Sequence, residues 1–212
     1  MGDFVDLVWF VGFTLVLVLF VSVLKSPRFK GAMGERRVKH ALRKLQGRGY
    51  YLINNVTLPI ARGTTQVDHV LFSRFGVFVI ETKNMSGWIF GSPNQPMWTQ
   101  MIGRRKYRFQ NPLRQNYAHV KTIEKLLDIP ASTIHGLVAF TGEAQAKTAM
   151  PEDVVFCGRD LLARIETTRA EIFSVEEVTS LVERLKKKCL PDTYATRTAH
   201  IKQLKRRHGR AV

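Results

Sequence analysis

Cysteine is scarce in this chain of 212 residues: Cys157 and Cys189 are the only two. No Cys-x-x-Cys pair occurs, which argues against a zinc finger or ribbon. Two buried free thiols are expected, with a single disulfide left open. Lys and Arg are absent ahead of Lys25, and no charge of either sign falls between Leu7 and Leu24. A buried helix of a water-soluble domain would show polar positions on one face, and this run shows none. Acids are also few beside bases, 17 against 33, for a formal net charge of +16. No internal repeat is present.

The uncharged run is long enough to matter. Leu7 to Leu24 covers about 27 Å as a helix, the scale of a bilayer core, and Phe4 and Val5 extend it. Residues 4–24 are therefore read as a single transmembrane helix. The alternatives are a cleaved signal and a core helix. The start is acidic, Asp3 and Asp6, rather than basic, and no A-x-A-like cleavage site follows. Lys25, Arg28, Lys30, Arg36, Arg37 and Lys39 flank the run on its C-terminal side, which predicts a single-pass protein with its body in the cytoplasm. The excess of positive charge points to polyanionic partners, nucleic acid or an anionic membrane surface. A merely solvated basic surface is the plainer alternative.

Residues 25–30 are expected to form a juxtamembrane linker. Ala32 to Leu45 carries Val38, Ala41, Leu42 and Leu45 at helical spacing and should be an amphipathic helix, with Glu35 in its first turns and Gly47 and Gly49 stopping it. Tyr50 to Thr57 should be a strand and Leu58 to Thr65 a loop. Short strands are expected at Trp88–Phe90 and Trp98–Gln100, with Trp88 and Trp98 as core aromatics. Gly103 to Phe109 mixes Arg104, Arg105, Lys106 and Arg108 with aromatics: either a hairpin that contacts phosphates or an ordinary exposed hairpin. Asn111-Pro112 has the cap and first-position pattern of a helix start. That helix should reach Leu127 and puts Gln115 and His119 on one face. Further elements are expected at Ile134–Phe140 and Val154–Cys157 (strands), Gly158–Ile165 (helix) and, after a capping box at Ser174–Glu177, a helix to Lys188.

The centre of the chain is Gln66 to Lys83. Two runs rich in Val, Ile and Phe flank Ser73-Arg74-Phe75-Gly76, which is the pattern of a hairpin. The second run, Val77 to Ile80, is apolar on both faces and should be buried. Asp68 sits in the first strand. Glu81 and Lys83 end the second and, at a period of two, share a face. Carboxylates on such a platform are costly unless they bind a cation or each other. Two carboxylates and an ammonium on one face could hold a divalent metal and a phosphate together. A structural salt-bridge cluster is the alternative. For Glu35 the alternative is a helix-start carboxylate, and for Gln115 a buried amide or a cap. His69 points away from Asp68 and is read as a core histidine. His119 is open between a contact in the site and solvent.

Gly34-Glu35, Gln66-Val67-Asp68-His69-Val70, Phe78-Val79-Ile80-Glu81-Thr82-Lys83, Gly87-x-Ile89, Trp98 and Asn111-Pro112-x-x-Gln115, in this order, resemble the nuclease-related domain (NERD). That family is similar to the PD-(D/E)xK restriction-endonuclease-like superfamily. The resemblance covers residues 31–142; residues 143–190 would be an α/β extension packed on that domain, and 191–212 a basic tail. The resemblance implies a central mixed sheet flanked by helices, and a metal-dependent nuclease that acts on nucleic acid, DNA in the first place. It implies that Asp68 and Glu81 ligate Mg²⁺ or Mn²⁺, with Glu35 completing or orienting the site. Lys83 would position or activate water, and Gln115 would support the site or contact substrate. Gln66 departs from the pattern, since family members often carry an acid there. The alternatives are a non-catalytic module of the same fold that binds nucleic acid or a protein, and a scaffold that adheres to anionic lipid through its basic body.

Overall fold

A computed structural model describes residues 2–61, 63–156, 158–191, 193, 195–196, 198–199 and 202. Its elements are α1 (Gly2–Lys25), α2 (Pro27–Arg43), β1 (Tyr51–Ile60), β2 (Gly63–Ser73), β3 (Gly76–Asn84), β4 (Gly87–Phe90), β5 (Met97–Ile102), β6 (Arg105–Gln110), α3 (Pro112–Leu127), β7 (Ile134–Thr141), β8 (Ala144–Ala146), β9 (Val154–Val155), α4 (Gly158–Glu166) and α5 (Val175–Lys188). Cys157 and most of the basic tail beyond Pro191 lie outside the described residues, so the expectations placed on them do too.

The five-stranded sheet runs β1-β2-β3-β7-β9, antiparallel as far as β3 and parallel from there. β3 is its middle strand, and Val77 to Ile80 are fully buried, as their two-sided apolar pattern predicts. Val77 and Val79 join Val70, Phe72, Ile123, Leu127 and Leu185 in the layer beneath α3 and α5. Phe78 and Ile80 join Val38, Leu42, Leu137 and Leu161 beneath α2 and α4. The hairpin turn is the expected one: Ser73 pairs with Gly76, whose φ of 130° suits glycine. A Cβ at Gly76 would also lie 2.7 Å from the His135 ring.

The single expected sheet is in fact two. β6-β5-β4-β8 forms a second, smaller mixed sheet packed through Ile89 and Trp98 onto Val138, Phe140 and Val154. β8 has no counterpart among the expected elements; three residues carry too little pattern to register. Leu58 to Thr65, expected as a loop, consists mostly of the extended ends of β1 and β2, paired through Leu58–Thr65, Pro59–Thr64 and Ile60–Gly63. Pro59 fits because β1 is an edge strand. Trp88, expected in the core, is 43 % exposed, because successive strand residues face opposite ways and Ile89 takes the inward position.

Residues 25–30 do not form a linker. Ser26 caps α2, its Oγ accepting from the Phe29 N–H, and Pro27 opens the helix. α1 is an α-helix of 24 residues, and Trp9, Phe10 and Phe13 on it are exposed. Over the described residues no helix is long and apolar enough to cross a membrane; side chains 2–8, 11, 24 and 25 of α1 fall outside them.

Candidate functional site

The register of the main sheet decides which side chains meet. Val70 pairs with Val79 and Phe72 with Val77, all on the α3 side. Counting by twos, Asp68 on β2 and Glu81 and Lys83 on β3 continue that face to the end of the strands. α3 lies over it. Asn111 starts that helix: its Oδ1 accepts from Leu113 N–H, and its Nδ2 reaches the carbonyls of Ser92, Pro93 and Gln95. Further along, the buried Asn116 donates to the carbonyls of Val79 and Leu137 on the two central strands. These bonds fix the rotation of α3, and Gln115 and His119 then face β3.

The result is one polar cluster at the end of an apolar sheet. Lys83 Nζ donates to Glu81 Oε1 at 2.7 Å and to Gln115 Oε1 at 2.9 Å. Glu81 is buried. His119, also buried, places Nε2 3.3 Å from Glu81 Oε2, and its Nδ1 lies 3.2 Å from Thr65 Oγ1. Neither Nε2 nor Oε2 has an aligned hydrogen bond. If the Thr65 hydroxyl donates to Nδ1, the ring proton sits on Nε2 and faces the carboxylate; the other tautomer would set two lone pairs against each other. Asp68 Oδ2 accepts from the Thr82 N–H at 2.8 Å.

The two carboxyl groups are electrostatically unequal. Burial, then the neighbouring Glu81 charge, pushes Asp68 well above the usual carboxylate range; the Glu35 charge adds to this, while the Thr82 bond and Lys83 oppose it. Burial also raises Glu81, but His119 and Lys83 outweigh it and the group ends below its ordinary value. Without a cation, Glu81 therefore holds the charge and Asp68 resists ionising. A dication placed between them would reverse that pressure on Asp68.

Glu35 reaches this neighbourhood through its neighbour. Gly34 lets α2 touch the ends of β3 and β7; a Cβ there would lie 2.6 Å from Asn84 Cβ and 2.8 Å from Thr141 Oγ1. Among the described residues, no three His, Cys, Asp or Glu side chains are grouped closely enough to enclose a metal ion. Asp68 and Glu81 do fit a hard cation of the magnesium type, which takes one or two carboxylates and keeps several waters. Glu81 Oε2, which has only the loose 3.3 Å contact with His119, is an oxygen suited to it.

Asp68, Glu81, Lys83 and Gln115 thus meet, and Glu35 acts on Asp68 through its charge. His119 is a site contact. Thr65 was hidden by its assignment to a loop; nothing in its sequence neighbourhood marks it. His69 lies on the other face, buried, with Nδ1 2.8 Å from Asn54 Oδ1. Arg104, Arg105, Lys106 and Arg108 stand exposed on the β5–β6 hairpin, away from the contacts of Glu81 and Lys83.

The family described as "Nuclease-related domain" matches residues 30–141. An uncharacterized protein of Bacillus anthracis is 49 % identical over 116 residues, 53 % of this chain. The chain spans 55 % of that relative's length. No solved structure gives a significant match.

Proposed function

Because the chain belongs to the nuclease-related domain family, we propose that it hydrolyses phosphodiester bonds of nucleic acid, DNA first, with Mg²⁺ or Mn²⁺ held by Asp68 and Glu81. The observation that carries this reading is the meeting of Asp68, Glu81, Lys83 and Gln115 at one strand end, with His119 against the second carboxylate oxygen of Glu81. A bound divalent cation would supply charge neutralisation and a more acidic water. The protein's own groups do the rest. Lys83 offers its ammonium to the phosphate oxygens while Glu81 and Gln115 hold its position. His119 and Thr65 keep Glu81 in place. Glu35 adds negative charge that strengthens cation binding. This assignment of roles is the one the resemblance to PD-(D/E)xK-type nucleases implies.

Membrane attachment belongs to the same proposal. The uncharged run from Leu7 to Leu24 and the exposed apolar side chains of α1 support an anchor, and the basic flank supports a cytoplasmic body. A second reading is a non-catalytic binding module of the same fold. It is favoured by Glu81 Oε1 being engaged by Lys83 and by the lack of a three-ligand group among the described residues.

The test is cleavage of linear, nicked and single-stranded DNA and of RNA by the full chain in detergent, with Mg²⁺, Mn²⁺ or EDTA. Metal-dependent cleavage that disappears in Asp68→Ala and Lys83→Ala upholds the nuclease. A folded wild type that is inert on every substrate overturns it in favour of the binding module.

A further inference from the structure

The smaller sheet has one face committed to the core and one that is not. Its pairing register sorts the side chains. Ile89 pairs with Gln100 and Trp98 with Phe109, and this set packs inward, Trp98 stacking on Phe140 and edge-on to Phe109. Trp88 pairs with Met101, Met101 with Lys106, Phe90 with Thr99, and Thr99 with Arg108, so these share the opposite face. Lys147 continues the β8 ladder, its N–H bonded to the Ile89 carbonyl at 2.9 Å, and its ammonium lies 4.7 Å from the centre of the Trp88 ring. Among the described residues this outward face is open to solvent, with Trp88 43 % exposed, Lys106, Arg108 and Lys147 exposed and Phe90 and Met101 half-buried. It therefore presents Trp88, Phe90 and Met101 as a hydrophobic floor among Lys106, Arg108 and Lys147, with no acid in the set.

We propose that this face binds a single-stranded segment of nucleic acid, a base stacking on Trp88 and backbone phosphates lying against Lys106, Arg108 and Lys147. The inference rests on the nuclease reading and narrows its substrate. Charge and shape choose the occupant. An indole capped by the Lys147 ammonium matches a strand whose bases can take that cation's place on the ring while it turns to a phosphate, whereas a duplex keeps its base faces inside and would leave the indole idle. The register also divides the basic hairpin: Lys106 and Arg108 belong to this face, and Arg105 to the other.

The experiment is fluorescence anisotropy of a labelled oligothymidylate and of a matched duplex, titrated with the full chain in detergent and EDTA, at two salt concentrations. Single strand should bind better than duplex and weaken with salt. Trp88→Ala should lose about tenfold or more of the single-strand affinity, in keeping with the worth of one base stack, while Trp88→Phe keeps most of it. Lys106→Ala with Arg108→Ala should weaken binding and flatten the salt dependence. Unchanged oligonucleotide affinity in Trp88→Ala overturns the proposal, and so does a loss confined to vesicles of phosphatidylserine and phosphatidylcholine, which would make the face a lipid contact. Oligonucleotide binding that needs Trp88 in a chain without cleavage would sink the nuclease reading and leave this one standing. Cleavage of unchanged KM in Trp88→Ala would do the reverse.

Discussion

His119 Nε2 approaches Glu81 Oε2 to 3.3 Å across the gap between α3 and β3, with both atoms buried and neither well bonded elsewhere. A contact of this kind positions a ligand rather than reacts. His119→Ala should leave the fold intact and lower metal affinity or cleavage about 10- to 100-fold, the usual effect of removing a group that orients a metal ligand. Thr65→Val should do the same more weakly, by freeing the ring to change tautomer. Metal titration of cleavage rates separates the two variants from wild type; unaltered metal dependence in both would refute the positioning role.

Asp68 is held in a place hostile to its charge. Asp68→Asn removes the repulsion with Glu81 and keeps an acceptor for the Thr82 N–H. The variant should be inert as a nuclease and yet melt at a higher temperature than wild type in EDTA. Added Mg²⁺ should stabilise wild type and not the variant. Calorimetry or thermal fluorescence with and without metal checks both halves.

Gly34→Ala is a test of close approach. Alanine is the better helix former by about 1 kcal/mol, but the added methyl would sit within 2.6 Å of Asn84 Cβ. Overpacking of that sort costs about 1–3 kcal/mol and should win. The helix must move off the strand ends and carry Glu35 with it. A lower urea midpoint together with weaker Mg²⁺ dependence is expected; a more stable protein would show that α2 yields freely.

Acid should weaken the fold through its buried histidines. Burial, with Lys39 adding to it, pushes His69 from 6.5 down to about 4. The unfolded chain then takes up a proton that the folded one refuses, so stability present above pH 6.5 is lost as pH falls toward 4. The full loss from this one group is about 3 kcal/mol. His135, also lowered by burial, acts in the same direction. Urea unfolding of wild type and His69→Asn at pH 7 and pH 5 should show the smaller pH effect in the variant.

Asn111 clamps the segment before α3. Its amide nitrogen has two hydrogens for the three carbonyls of Ser92, Pro93 and Gln95, so at least one bond is shared. Asn111→Ala removes the helix cap as well. It should cost about 2 kcal/mol or more, combining the cap with carbonyls stripped of a partner. Equilibrium unfolding measures it.

What could be read from sequence follows how local the signals are. The β2–β3 hairpin, the Asn111-Pro112 start and the Ser174–Glu177 box depend on neighbours in the chain, and each stands where its residues place it. The meeting of Asp68 with Glu81 and Lys83 came from strand alternation plus the family resemblance. Trp88 and Trp98 show the limit: alternation says that one residue of each short strand points inward, but not which. The contact of Thr65 with His119 spans two distant elements, and no local pattern encodes it. The start of α2 was missed because basic residues next to an apolar run suggest a solvated tether, while Ser26 and Pro27 were already a cap.

The parallel pairing of β3 with β7 has a consequence for the chain as it is made. Glu81 and Lys83 are synthesised early, but β7 follows only after β4, β5, β6 and α3 have been threaded through the crossover. α3 is held on the sheet partly by Asn116 bonding to Leu137 of that late strand. A nascent chain shorter than β7 therefore carries Asp68, Glu81 and Lys83 without Gln115 and His119 fixed over them. Long-range pairing of this kind is slow to form, so the polar cluster is completed only when nearly the whole domain has left the ribosome.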